Sequence, residues 1–369
     1  MRDPMQPMYP LYRASGTARQ LGREHGEQAA EAIRAFLDFL AHSLKLSLDS
    51  IEKRALVFRP LFERFCPHLV DELAGLAEGA AISPAQALAL QLRGELAQVS
   101  EGACTTFVIG SRGTASGELL IGQTSDTPAE IERFGCVLHL APKDRPEVLI
   151  WTFGGMLGYH GVNQYGVAHF ANALGGGPGW KFSLSHYPLK RLMLECRDLD
   201  EVAGLLDRIP VCSNGNYVLC DGSGKFVDVE LTSAGPHFID DAGEGFIAHS
   251  NHFLCAPHAC HANHELSLPD SFPRLKRMRQ LIVEKFGAIT VQDVQAFLSD
   301  HDGYPVSICR HPHEGVGDPI LPSTGKTVAA LIAEPMRGRL HVARGNPCTS
   351  RFATYQFDAA GVQASACAT

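Results

Sequence analysis

The sequence predicts an α+β layered sandwich, and three observations predict it. A long helical front is followed by an abrupt change to short β-type runs with glycine turns. Beyond that point, blocks of strands and blocks of helices follow one another without strict βαβ alternation. Strict alternation would instead have indicated a doubly wound parallel sheet.

The helical front covers residues 17–96. Leu21, Ala29, Ile33, Phe36, Leu37 and Leu40 recur at three- and four-residue steps, and a second apolar face runs through Leu56, Phe58, Leu61 and Phe65. Ser83-Pro84-Ala85-Gln86 carries capping-box residue types with proline at the first helical position, so a helix starts there and should end near Gly102. Short β-type runs then appear at 105–109, 118–122, 137–140 and 148–153. Amphipathic stretches at 187–196 and 199–209 precede a hairpin, 217–220 and 226–231, around Asp221-Gly222-Ser223-Gly224. Helices are expected over 273–286 and 291–298, and closing strands over 327–333, 339–343 and 352–357. Leu174-Gly175-Gly176-Gly177-Pro178-Gly179 reads as a mobile surface loop, and the tail beyond Asp358 as frayed. No internal repeat or low-complexity linker divides the chain.

Composition narrows the function classes. With 369 residues, 45% hydrophobic and 20% charged, the chain can bury a large core as one long domain or two ordinary ones. A formal net charge of −8 with no long basic run argues against a nucleic-acid partner. Met1-Arg2-Asp3-Pro4-Met5-Gln6-Pro7 lacks the apolar core of a secretory signal, and no run reaches the roughly 18–20 apolar residues of a membrane helix. The expectation is a soluble, cytoplasmic protein with no membrane partner. Eleven cysteines, an odd number, argue for reduced thiols rather than a disulfide framework.

Cys104-Thr105-Thr106 is the most informative segment. It heads an apolar strand-like run just after Glu101-Gly102-Ala103. A thiol placed there can attack the carbonyl of Ala103, and hydrolysis of the resulting thioester frees an α-amino group on Cys104. That amine has a reference pKa near ~7.7–8.0 and the thiol near ~8.5, so one residue would hold nucleophile and base matched to neutral pH. A buried structural cysteine is the competing reading of the same three residues.

Further motifs follow in a telling order: Gly122-Gln123-Thr124-Ser125-Asp126, then Gly161-Val162-Asn163 with Gly166-Val167-Ala168-His169 and Asn172, then Ser250-Asn251-His252. Asp300-His301-Asp302-Gly303, Ser307-Ile308-Cys309-Arg310-His311 and Gly345-Asn346-Pro347-Cys348 complete the series. Taken together, they resemble the amino-terminal nucleophile (Ntn) hydrolases, and within them the autoproteolytic acyl-coenzyme A:isopenicillin N acyltransferase family with its choloylglycine hydrolase relatives. The resemblance implies a four-layer αββα sandwich of the Ntn-hydrolase type, with a helical N-terminal region and the nucleophile on the first strand of one sheet.

Residue by residue, the resemblance makes Cys104 the nucleophile and Ala103–Cys104 the cleavage site. Asp126 matches the aspartate that holds the cysteine and its amino group; read by itself, it is a turn residue before Pro128. Asn251 matches the asparagine whose amide helps form the oxyanion hole, and Asn172 a second asparagine near the nucleophile. Neutral donors suit that task, because they stabilise the tetrahedral oxygen without forming an ion pair with the thiolate. Arg274 matches an active-site arginine of the bile-salt- and penicillin-cleaving relatives, although an arginine near a helix start is most often a solvated surface residue. Gln123 stands where choloylglycine hydrolases carry an arginine, so their substrates do not transfer.

One other tract competes for a functional role. His252, Cys255, His258, Cys260, His261 and His264 include zinc-ligand spacings, which keeps open an alternative of a zinc-binding protein or zinc hydrolase centred on residues 255–264; a histidine-rich substrate loop is the other reading. No dinucleotide, phosphate-loop or Gly-x-Ser-x-Gly pattern is present. The expected protein is therefore an autoproteolytic N-terminal-cysteine amidohydrolase and acyltransferase without cofactor or metal. It would act on a small acyl amide or an acyl-CoA-like substrate, as associated fragments 1–103 and 104–369, with assembly into a homo-oligomer left open.

Overall fold

A computed structural model describes residues 8–97, 102–255, 269–313, 324–357 and 365–366. The chain opens with strand β1 (Leu11–Gly16) and the long helix α1 (Ala18–Leu44). Thr17 and Gln20 form a reciprocal capping box at the start of α1, satisfying end N–H groups that the helix itself cannot pair. Its buried stripe, Leu21, Ala29, Ile33, Phe36, Leu37 and Leu40, is the one the periodicity predicts.

The second apolar face is different. Helices α2 (Leu48–Leu56) and α3 (Arg59–Phe65) are separate and short. They bury Ile51, Ala55 and Phe62 and leave Leu56 exposed, because the break at residues 57–58 resets the helical phase. Helix α4 (Pro67–Ala80) then crosses α1 in direct backbone contact, and α5 (Pro84–Ala89) carries the expected Ser83–Gln86 capping box. A helix α6 (Arg93–Ala97) follows; the expected end of the helical front near Gly102 lies partly outside the described residues.

The strands are β2 (Ala103–Ile109), β3 (Leu120–Pro128), β4 (Gly135–Pro142), β5 (Val148–Phe153), β6 (His160–Asn163) and β7 (Ala168–Ala173). After helices α7 (His186–Met193) and α8 (Leu199–Arg208) come β8 (Gly215–Cys220), β9 (Phe226–Thr232), β10 (Gly235–Ile239) and β11 (Phe246–His249). Helices α9 (Ser271–Lys285) and α10 (Val291–Leu298) precede β12 (Gly325–Glu334), β13 (Arg339–Arg344), β14 (Phe352–Gln356) and β15 (Ser365–Ala366). The last of these pairs with Ala353 and Thr354, so at that point the tail rejoins a sheet rather than fraying.

Two sheets result. One has eight strands in the order β1-β4-β5-β6-β7-β8-β9-β10, the other seven in the order β11-β2-β3-β12-β13-β14-β15. Pairing is antiparallel except between β1 and β4. Alternation along β2 explains the stacking: Val108 joins a core shared with the other sheet, whereas Phe107 and Ile109 join a second core with Met278 and Ile282 of α9 and Phe297 of α10. Helix α1 lies against β1 and β4 of the eight-stranded sheet with α4 packed on it, so the layers run helix, sheet, sheet, helix, as expected.

Among the described residues, no single helix is long and apolar enough to cross a membrane. The glycine-rich segment 174–179 is not a free surface loop. Asn214 Nδ2 donates to the carbonyls of Gly176 and Pro178 at 2.7 and 3.0 Å, and a Cβ on Gly177 would meet the Phe253 ring at 2.7 Å.

Candidate active site

Cys104 is the second residue of β2, and alternation turns its side chain toward the facing sheet, together with Thr106. It is 6% exposed and lines a pocket with Glu95, Tyr159, Asn172, Trp180, Tyr187 and Lys190. Gly102, at φ +88°, turns the chain into the strand; a Cβ there would meet the Asp126 carbonyl oxygen at 2.8 Å, so only glycine fits without strain.

The backbone of Cys104 is held on both sides. Its carbonyl oxygen accepts from Asn172 Nδ2 at 2.9 Å and from Arg274 Nη1 at 2.7 Å, while its N–H donates to Asn251 Oδ1 at 3.1 Å. Asn172 is itself oriented by the Thr106 hydroxyl, which donates to its Oδ1 at 2.6 Å. Arg274 also donates to Thr105 Oγ1 at 2.9 Å and to Asn251 Oδ1 at 2.8 Å, and pairs with Asp270 Oδ2 at 2.7 Å. This arginine is buried, not a solvated surface residue as its place near a helix start suggested.

Asn251 faces Cys104 with its oxygen. Two donors, the Cys104 N–H and the Arg274 guanidinium, require an acceptor there, and the Asn251 amide nitrogen donates to the Ala173 carbonyl at 2.9 Å. The resemblance assigned its amide to an oxyanion hole; in the structure its oxygen is what meets Cys104. At the sulfur itself, Gln123 Nε2 lies 3.9 Å from Cys104 Sγ, with the Gln123 oxygen fixed by the Ala171 N–H at 2.8 Å.

Asp126 lies directly opposite Ala103 in the β2–β3 ladder, so it is part of a strand rather than a turn. Its Oδ1 accepts from Thr327 Oγ1 at 2.7 Å, and Oδ2 has no partner among the described residues. Burial pushes its carboxyl up to about 6, against the downward pull of the Arg310 and Arg274 guanidiniums and the Thr327 hydroxyl. Burial also pushes the Cys104 thiol up to about 12; the neighbouring Asp126 charge adds to the rise. Asp270 ties the arginines together: burial alone would raise its carboxyl, but Arg274 and Arg310, both bonded to it, hold it below the usual carboxylate range.

The five residues read from the sequence, Cys104, Asp126, Asn172, Asn251 and Arg274, thus converge on the first residues of β2. Sequence reasoning missed Lys190, Asp270, Arg310 and Thr327. Lys190 is buried in the pocket, with Nζ 4.3 Å from the Tyr159 ring centroid and 5.4 Å from that of Tyr187. Burial lowers its ammonium to about 7, while the Cys104 charge works the other way. Nothing local marks it, because α7 reads as an ordinary amphipathic helix.

Of the competing histidine and cysteine tract, His252 packs on Phe272 with ring centroids 3.8 Å apart and bonds Ser271 Oγ at 2.7 Å through Nδ1. The N–H of Cys255 donates to Glu230 at 3.1 Å. His258, Cys260, His261 and His264 lie outside the described residues, so the zinc reading centred on 255–264 does too.

Residues 115–348 match the family described as acyl-coenzyme A:6-aminopenicillanic acid acyl-transferase. The chain is 25% identical over 342 residues to the 40 kDa form of acyl-coenzyme A:6-aminopenicillanic-acid-acyltransferase of Emericella nidulans, covering 90% of this chain and 91% of that one. Among solved structures, a mutant of the conjugated bile acid hydrolase from Clostridium perfringens is similar at a TM-score of 0.45 and 12% identity, covering 69% of this chain and 97% of that one. Penicillin V acylase from Agrobacterium tumefaciens is similar at a TM-score of 0.39 and 11% identity, covering 70% and 80%.

Proposed function

Because the chain belongs to the acyl-coenzyme A:6-aminopenicillanic acid acyl-transferase family and its chemistry is therefore that of acyl groups, we propose that it is an autoproteolytic amidohydrolase and acyltransferase with Cys104 as nucleophile. The observation that carries this reading is the anchoring of Cys104: carbonyl held by Asn172 and Arg274, N–H held by Asn251, Asp126 across from Ala103, and sulfur on a pocket.

In the first step, Cys104 Sγ attacks the Ala103 carbonyl carbon. The Ala103–Cys104 C–N bond breaks as the S–C bond forms, and the thiol proton goes to the departing nitrogen. Water then hydrolyses the thioester, leaving an Ala103 carboxylate and a free amine on Cys104. Fragments 1–103 and 104–369 stay together, because α1 and α4 share one core with the eight-stranded sheet.

In turnover, the α-amine takes the thiol proton and Sγ attacks the substrate carbonyl. The amine returns the proton to the leaving nitrogen or sulfur, giving an acyl-enzyme. Water or an acceptor amine, deprotonated in turn by the α-amine, releases the acyl group. Asn251 Oδ1 and the Asp126 carboxylate receive hydrogen bonds from the new ammonium, and the Asn251 N–H not used on Ala173 serves the tetrahedral oxygen, a donor worth roughly 10²–10³ in turnover. Tyr159, Tyr187 and Trp180 offer apolar wall to an acyl chain, so a small acyl amide or acyl-coenzyme A-like thioester is the substrate class. All nine described cysteines are free thiols, which fits a reducing, cytoplasmic setting.

Intact mass of the purified protein should show two polypeptides that separate between Ala103 and Cys104, and Cys104→Ala should leave one polypeptide without turnover of p-nitroanilide or acyl-coenzyme A donors. Cleavage at that bond in Cys104→Ala would overturn the reading.

A further inference from the structure

We propose that His301, Cys309, His311 and Cys348 form a structural zinc site that clamps the segment carrying Arg310 to the turn after β13. Their donor atoms all lie within 4.8 Å of one another. Cys309 Sγ and Cys348 Sγ are 3.6 Å apart; His311 Nε2 lies 3.6 Å from the first sulfur and 3.5 Å from the second, and 3.1 Å from His301 Nε2.

These separations fit one tetrahedral ion. With Zn–S near 2.3 Å and Zn–N near 2.0–2.1 Å, a tetrahedron places sulfurs about 3.8 Å apart, sulfur and nitrogen about 3.6 Å, and nitrogens about 3.3 Å. The donor set selects the metal. Two thiolates and two imidazoles in a tetrahedron suit zinc rather than a hard cation such as magnesium or calcium. Asn346 Nδ2 supports the set from outside, donating to Cys309 Sγ at 3.4 Å and to the Arg310 carbonyl at 2.7 Å. Cys309 is buried, His311 and Cys348 half-buried, and His301 exposed, which leaves an approach from solvent.

The position gives the site its consequence. Arg310 lies between two of the ligands; its guanidinium pairs with Asp270, and its N–H donates to Thr327 Oγ1 at 2.9 Å, the hydroxyl that bonds Asp126. A metal here would fix from behind the charged groups that hold Asp126 and Arg274. It is independent of self-cleavage, so Cys104→Ala protein should carry it unchanged.

The test is metal analysis of the full-length protein, purified without chelator and reconstituted with zinc. About one zinc per chain is expected by elemental analysis, with cobalt substitution giving the visible bands of a tetrahedral thiolate site. His301→Ala, which removes the exposed ligand, should weaken zinc by about 100-fold or more in competition with a chromogenic chelator, and Cys309→Ser/Cys348→Ser should abolish it. Zinc should also raise the melting temperature of the parent protein and not that of the double variant. The proposal is overturned by folded parent protein that takes up no zinc, by stoichiometric zinc retained in the double variant, or by a Cys309–Cys348 disulfide in protein isolated under reducing conditions.

Discussion

Arg274 Nη1 and the carbonyl oxygen of Cys104 are 2.7 Å apart, and the same guanidinium reaches Thr105, Asn251 and Asp270. A planar fork can serve four acceptors at once; an ammonium cannot. Arg274→Lys should therefore keep the charge and still lose turnover by roughly 10-fold or more, with buried acceptors left unpaired costing about 1–3 kcal/mol. Arg274→Ala should cost about 3–5 kcal/mol in stability. Steady-state kinetics and thermal melts check both, and wild-type turnover in Arg274→Lys would remove this arginine from the site.

Asp126 gives a pH signature. Its folded carboxyl titrates near 6 against an ordinary value of 3.8, raised chiefly by burial. The native state thus holds a proton that the unfolded chain has released, so this group's contribution is full below about pH 4 and falls by up to about 3 kcal/mol as pH rises to about 6. Asp126→Asn should flatten that fall in urea melts across the window. It should also lower turnover of the processed enzyme by roughly 10-fold or more, because an amide cannot take the new ammonium as an ionised carboxylate does; wild-type turnover in Asp126→Asn enzyme would contradict the role.

Lys190 gives the opposite sign. Burial lowers its ammonium to about 7 from 10.5, so between those values the unfolded chain binds more protons and stability rises with pH. Lys190→Met should lose that rise. Its removal also takes a cation from the neighbourhood of the sulfur, so the activity optimum should move to higher pH with turnover reduced; an unchanged pH–rate profile would make Lys190 a packing residue only.

The crossing of α1 and α4 rests on glycine. A Cβ on Gly22 would meet the Glu72 carbonyl oxygen at 1.8 Å, and one on Gly75 the Arg19 carbonyl oxygen at 2.0 Å. Gly22→Ala and Gly75→Ala should each destabilise by about 1–3 kcal/mol or more, since backbone cannot yield as a side chain can. Gly179→Ala, where a Cβ meets nothing within 4 Å, is the control and should melt with the parent.

Much of the fold was legible because its elements are periodic. The buried stripe of α1, the bounds of α10 and the strands β2, β5 and β9 follow from local apolar spacing. Strands β1 and β10 were not, since both are only half-buried and carry little alternation. The site residues were legible as an ordered series of motifs, though their hydrogen bonding was not: which end of the Asn251 amide meets Cys104 depends on Arg274, distant in the chain.

By itself, then, the sequence determined the α+β class, the place of Cys104 at the head of a strand after a helical front, and the four side chains gathered around it. Only the tertiary structure decided the charges. Lys190, Arg274 and Arg310 look like surface cations along the chain and are buried in the fold, where desolvation lowers the Lys190 ammonium and Asp270 pairs with both arginines. It likewise brought Cys348 to His301, Cys309 and His311, whereas the sequence drew attention to residues 255–264. The physical reason is the same in both cases: apolar periodicity is a local property of a helix or strand, while electrostatic environment and metal geometry are sums over groups that meet only when the layers close.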